Sequence, residues 1–179
     1  MRRELFKVSC VAAALAAIVV AAVPATAQPS GATATRALSP LEAGILERLN
    51  AIRAEHKLAP LRVNARLATA AQSHSLDMVT KGFFSHDSAT VSFDRRIERV
   101  YSSASYRTWA AGENLLWSPT GLAPKAALDL WMASPGHRAN ILSPRWREIG
   151  VSAVTRTAAP GVYGGRDVTV VTTDFGVRK

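Results

Sequence analysis

Cysteine is nearly missing from this chain: the one present, Cys10, sits inside the first apolar stretch of the 179 residues. A mature chain cut after that stretch has none, so its core must hold without disulfides. Lys7-Val8-Ser9 puts a lysine where a lipoprotein signal needs an aliphatic side chain, which argues against lipid attachment through Cys10. Long apolar runs are scarce as well. The run from Val8 to Val23 is shorter than the roughly 20 apolar residues that a spanning helix needs. No transmembrane segment is expected once it is removed.

The chain also has no internal repeat, no Gly-x-Ser-x-Gly elbow and no nucleic-acid recognition motif, so nucleic acid is not an expected partner. Acidic residues are outnumbered, 13 against 22 basic ones, for a formal charge of +9. The first 27 residues hold Arg2, Arg3 and Lys7 against Glu4, so the remainder keeps +7. A surface of that sign favours anionic partners: an envelope polymer or acidic lipid headgroups.

Arg2, Arg3 and Lys7, the apolar run, and then Ala25-Thr26-Ala27 before Gln28 have the three-part form of a secretory signal peptide. Residues 1–27 are read as that signal, cleaved after Ala27, which makes the protein secreted or periplasmic. Residues 28–38, rich in Ala, Thr, Ser, Gly and Pro, form a flexible lead. Residues 39–179 are enough for one domain with a sizeable core.

Ser39-Pro40-Leu41-Glu42 has the capping-box form, and Leu41, Ile45, Leu49 and Ile52 recur at helical spacing, which predicts a helix ending before Pro60. His56 falls near its end as a C-terminal cation. After the extended link Leu61-Arg62-Val63, Asn64 caps a second helix with Leu67, Ala71, His74 and Met78 on its apolar face and Gly82 as its stop. His74 is thus a core histidine. Phe93, Ile97 and Val100 predict a third helix after Ser92, and Ala123 to Met132 a fourth, opened by Pro124. Gly112 to Trp117 is ambiguous by pattern. Beyond Pro144 the alternation is strand-like, with Ile149, Val151 and Ala153, then Val168, Val170 and Thr172, joined around Ala159-Pro160-Gly161 and Gly164-Gly165. Helices first and strands last make the fold class α+β.

Three stretches place an imidazole or carboxylate beside turn-forming residues: Phe83-Phe84-Ser85-His86, Gly112-Glu113-Asn114 and Ser134-Pro135-Gly136-His137-Arg138. Folding must bring them together to make one site. With Leu67-Ala68-x-x-Ala71-x-x-His74-Ser75-x-Asp77-Met78 before them, Trp131-Met132-Ala133 leading into the last, and Ile149-Gly150-Val151 after it, the order resembles bacterial, cysteine-free members of the CAP superfamily. That superfamily comprises cysteine-rich secretory proteins, antigen five and pathogenesis-related proteins, and shares the SCP-like extracellular domain. The resemblance spans about Leu41 to Phe175. It implies a three-layer α-β-α sandwich with a central antiparallel sheet and a cleft on one face.

The resemblance also implies a cleft tetrad of two histidines and two acids. His86 matches the first histidine, Glu113 the first acid and His137 the second histidine. The second acid falls three positions after the tryptophan that Trp131 resembles, and here that residue is Ser134. The tetrad is incomplete, which weakens a metal site because carboxylates supply charge and orientation to imidazole ligands. Two readings remain open: Zn²⁺ held by His86 and His137 with Glu113, or a hydrogen-bonded polar cleft. A hydrolase reading uses Ser134 as nucleophile, His137 as base and Glu113 as orienter, but Ser134-Pro135-Gly136 looks like a helix stop followed by a turn. Asn114, Arg138 and Asn140 brace the cleft walls, and Trp109, Trp117, Trp131 and Trp146 pack in the core or rim, or stack on a sugar or sterol ring.

The leading expectation is an extracellular binding module for a lipid, envelope component or anionic polymer, with a cleft of His86, Glu113, Ser134, His137 and Asn114. The alternative is a metal-dependent or serine-type hydrolase at the same cleft, and a third reading is a structural envelope component.

Overall fold

The structure, a computed structural model, describes residues 36–119 and 121–179. The expected signal peptide, Cys10 and most of the lead lie outside the described residues. Helix α1 covers Pro40–Glu55 and opens with the capping box expected of Ser39: its hydroxyl accepts the Glu42 N–H at 3.3 Å, and Glu42 Oε2 accepts the Ser39 N–H at 2.7 Å. Strand β1 is the two residues Arg62–Val63, and α2 covers Ala65–Lys81 between its Asn64 cap and a left-handed Gly82. Then come α3 (Phe93–Val100), β2 (Trp109–Pro119), α4 (Pro124–Ala133), α5 (Pro135–Ile141), β3 (Glu148–Ala159) and β4 (Arg166–Arg178).

The sheet order is β1-β3-β4-β2. It is mixed rather than wholly antiparallel, because β1 runs parallel to β3 while β3, β4 and β2 pair antiparallel. The reason is local: the chain leaves α1 and is drawn along β3 by the Asn64 N–H on the Ile149 carbonyl and the Arg62 N–H on the Arg147 carbonyl. Beyond those two residues the outer edge of β3 is open, and Glu42 covers part of it by accepting the Ala153 N–H at 2.9 Å. Burial acts to raise the Glu42 carboxyl, but Arg36, Ser39 and that N–H outweigh it and hold the group below the usual carboxylate range.

Helices cover both faces of the sheet, giving the three-layer α-β-α sandwich. Along β4, Val171, Phe175 and Val177 meet Ile45 and Leu49 of α1, Leu128 and Trp131 of α4, and Ile141 of α5. On the opposite face, Val168 and Val170 meet Met78 and Val79 of α2, while Leu67, Ala70, Ile97 and Tyr101 join α2 to α3. Helix α2 lies so close to β3 that a Cβ on Gly150 would stand 2.1 Å from the Leu67 carbonyl carbon, a spacing that only glycine permits.

Two local expectations change. Gly112 to Trp117, which has no clear period, lies within the long strand β2; tertiary pairing with β4 decides it. Ser134-Pro135-Gly136 is not a helix stop followed by a turn. Ser134 ends α4 and begins α5 at once, with Pro135 pre-set for a first helical turn. The tryptophans pack: Trp131 is buried and donates to the Leu115 carbonyl, Trp146 stacks on Phe175, Trp117 meets Tyr163 edge-on and Trp109 donates to the Tyr101 carbonyl.

Candidate functional site

β2 is an edge strand, and its neighbours Glu113 and Asn114 are both buried but point to opposite faces. The Glu113 side chain, 1% exposed, uses both oxygens: Oε1 with His86 Nδ1 at 2.7 Å and Oε2 with Arg96 Nη2 at 2.5 Å. Arg96, from α3, also reaches Asp174 Oδ2 at 3.2 Å. Asp174 sits directly opposite Glu113 in the β2–β4 register and has no exposure.

The segment carrying His86 is fixed from below. Gly82 ends α2 in the left-handed conformation, and a Cβ there would press on the Pro160–Gly161 backbone at 2.8 Å. His74 is buried on the apolar face of α2, edge-on to Phe83, and its Nε2 lies 2.9 Å from the Ser85 carbonyl. A carbonyl only accepts, so that nitrogen bears the proton. Asp87 accepts the Phe93 N–H at 2.7 Å and takes the capping role that the Ser92 side chain leaves open.

On the other side, Asn114 donates to the His137 carbonyl at 3.0 Å, and Asn140 donates to the Glu113 carbonyl and to Asn114 Oδ1 at 3.0 and 2.9 Å. These amide bonds tie α5 to the strand edge. Arg138 instead bonds the Met132 carbonyl from an exposed position. Buried Arg53 adds a clamp below, donating to the Ile141 and Ser143 carbonyls where α5 ends.

The two cleft histidines are driven apart electrostatically. The Glu113 hydrogen bond raises the His86 imidazole above its ordinary value, with Arg96 opposing. Burial lowers His137, and the charge of His86 lowers it further, so the rings stand within each other's field. His74 is lowered by burial and then by Arg96. Burial and the adjacent Glu113 push the Asp174 carboxyl up, which favours its protonated form.

The structure therefore joins His86 to Glu113 directly and Asn114 to the His137 backbone. Ser134 is not joined to them: among the described residues its hydroxyl makes no hydrogen bond to His137, and the carboxylate meant to orient His137 is bonded to His86 and Arg96. Zn²⁺ does not fit either. No group of three or more His, Cys, Asp or Glu side chains among the described residues is placed to hold a metal ion, and a guanidinium occupies the acidic centre. Arg96 and Asp174 escaped the sequence reading. A signal for Asp174 was present, since it is the lone acid within the Val168–Phe175 run of valines and threonines.

A model of the cysteine-rich secretory protein family (CAP) matches residues 46–172. An uncharacterised Bacillus subtilis protein, YkwD, is 35% identical over 133 residues, covering 73% of this chain and 50% of YkwD. The chain thus spans about half of that relative, and its match to the uncharacterised Bacillus subtilis membrane protein YlbC, 33% identical over 62% of this chain, spans 30% of that one. Among solved structures, an extracellular protein containing a SCP domain from Bacillus anthracis is 30% identical with a TM-score of 0.58, over 81% of this chain and 45% of that one. An outer surface protein from Borrelia burgdorferi shares the fold, with a TM-score of 0.60 at 19% identity over 75% of this chain and 90% of that one.

Proposed function

This chain belongs to the cysteine-rich secretory protein family, and we propose that it is an exported binding module whose cleft recognises an anionic envelope polymer without metal or covalent chemistry. One observation carries this: both oxygens of Glu113 are satisfied within the protein, while the half-exposed group at the cleft is an imidazole whose protonated form Glu113 favours. A ligand there meets donors rather than a free carboxylate. The surface of α2 and α3 supports the same sign of partner. Arg66, Arg95 and Arg99 are exposed and line two adjoining hollows, and Glu98 between them is bonded back to Ser102 and Ser103.

No α-helix among the described residues is long and apolar enough to cross a membrane. Export, with cleavage after Ala27, is part of the proposal; N-terminal sequencing of secreted protein should begin at Gln28, and an intact Met1 on a membrane-bound form contradicts it.

Calorimetric titration with inorganic polyphosphate tests the function. Binding should weaken steeply with salt, and His86→Ala/His137→Ala should weaken it by about tenfold, the scale of one or two charge-assisted hydrogen bonds. Equal binding to neutral dextran, or binding confined to anionic lipid vesicles, contradicts the polymer reading.

A further inference from the structure

We propose that Arg96 is the resident cation of this cleft: its guanidinium holds Glu113 and Asp174 together in the place of a divalent ion, so that the site is complete without metal. This stands whether or not the cleft binds a polyanion.

The topology creates the need for a cation. Glu113 and Asp174 are Cα partners across antiparallel strands and share one face, which brings their Cβ atoms to about 4.5–5.5 Å. Their side chains are 1% and 0% exposed. Like charges directly opposite and out of water are unfavourable, so something positive must stand between them. Arg96 meets the geometry with its two terminal nitrogens, Nη2 on Glu113 and Nη1 on Asp174, at 2.5 and 3.2 Å. A planar fork can span two carboxylates in this way. The Phe93 ring, one helical turn earlier, lies 5.4 Å from the guanidinium carbon and covers it, leaving the side chain 13% exposed.

Guanidinium and metal are alternatives here. A second cation would face Arg96 at short range, and both Glu113 oxygens are engaged. Asp174 Oδ1 is fully buried and has no hydrogen-bond donor. With Arg96 removed, that oxygen, its partner Oδ2 and Glu113 Oε2 form an unfilled set of hard donors beside the His86 ring, a set suited to Mn²⁺.

The test follows Mn²⁺ by electron paramagnetic resonance and by its effect on thermal unfolding. Wild-type protein should leave Mn²⁺ free and unfold at the same temperature with MnCl₂ or EDTA. Arg96→Ala should unfold at a lower temperature without metal, regain stability with Mn²⁺ and bind it at least about tenfold more tightly than wild type. Arg96→Lys keeps a cation and should gain no Mn²⁺ affinity. Arg96→Ala/Asp174→Asn removes the cation together with one carboxylate; it should fold and lose the Mn²⁺ response. Mn²⁺ binding by wild type overturns the proposal. A folded Arg96→Ala indifferent to Mn²⁺ also overturns it, as does an Arg96→Ala that stays unfolded in Mn²⁺ while the double variant folds.

Discussion

Glu113 and Asn114 are adjacent on β2 and equally hidden from solvent, yet one enters a charged network and the other a neutral one. On the Asn114 side, amides from β2 and α5 bond one another and two backbone carbonyls, within 26 residues of sequence. On the Glu113 side, the partners come from the loop after α2, from α3 and from β4, up to 78 residues apart. Neutral amides can be satisfied by near neighbours at modest energy. Buried charges demand a counter-ion wherever the fold can bring one, and losing it leaves the others uncompensated.

Glu113→Ala should therefore be the most damaging change, costing about 3–5 kcal/mol in denaturant unfolding, since it strands Arg96 and removes the partner of His86. Asn114→Ala should cost about 1–3 kcal/mol, the range for a buried amide network that loses one member. Equal losses would erase the contrast between the two faces. Ser134→Ala should fall within about 0.5 kcal/mol of wild type and leave polyphosphate binding unchanged. A large loss of binding would return Ser134 to the site.

The neutral side was legible in the sequence because its parts are local. Gly112-Glu113-Asn114 and the run to Asn140 announce themselves by turn-forming neighbours, and bracing by Asn114 and Asn140 follows from their amides. The caps of α1 and α2 and the glycine stop at Gly82 were equally readable, since each is a rule about a few consecutive residues. The charged side was not. Arg96 lies in Asp94-Arg95-Arg96-Ile97-Glu98-Arg99, where nothing local separates the arginine that turns inward from the two exposed ones. The parallel pairing of β1 with β3 and the helical α5 were missed for the same reason, since tertiary contacts decide both.

Acid response sharpens the contrast further. His86 is raised in the folded state, so its pairing with Glu113 contributes stability below the unfolded imidazole value near 6.5, and that contribution fades as pH rises through the higher folded value. His137 is lowered, so it adds no cost above about 6.5 and destabilises the fold as pH falls below it. His86→Ala should thus lose most stability on the acid side, and His137→Ala should gain there; with half of the His86 ring in solvent, both effects are small.

The central claim is that Glu113 is bound within the protein to His86 and Arg96, and the most direct measurement is an NMR pH titration of the imidazole signals in wild type and Glu113→Gln. In wild type, His86 should titrate above about 6.5 and His137 below it, and Glu113→Gln should bring His86 down while its signal remains that of a folded protein. A His86 that titrates at or below the ordinary histidine value in wild type, or does not move when Glu113 is neutralised, would contradict the account.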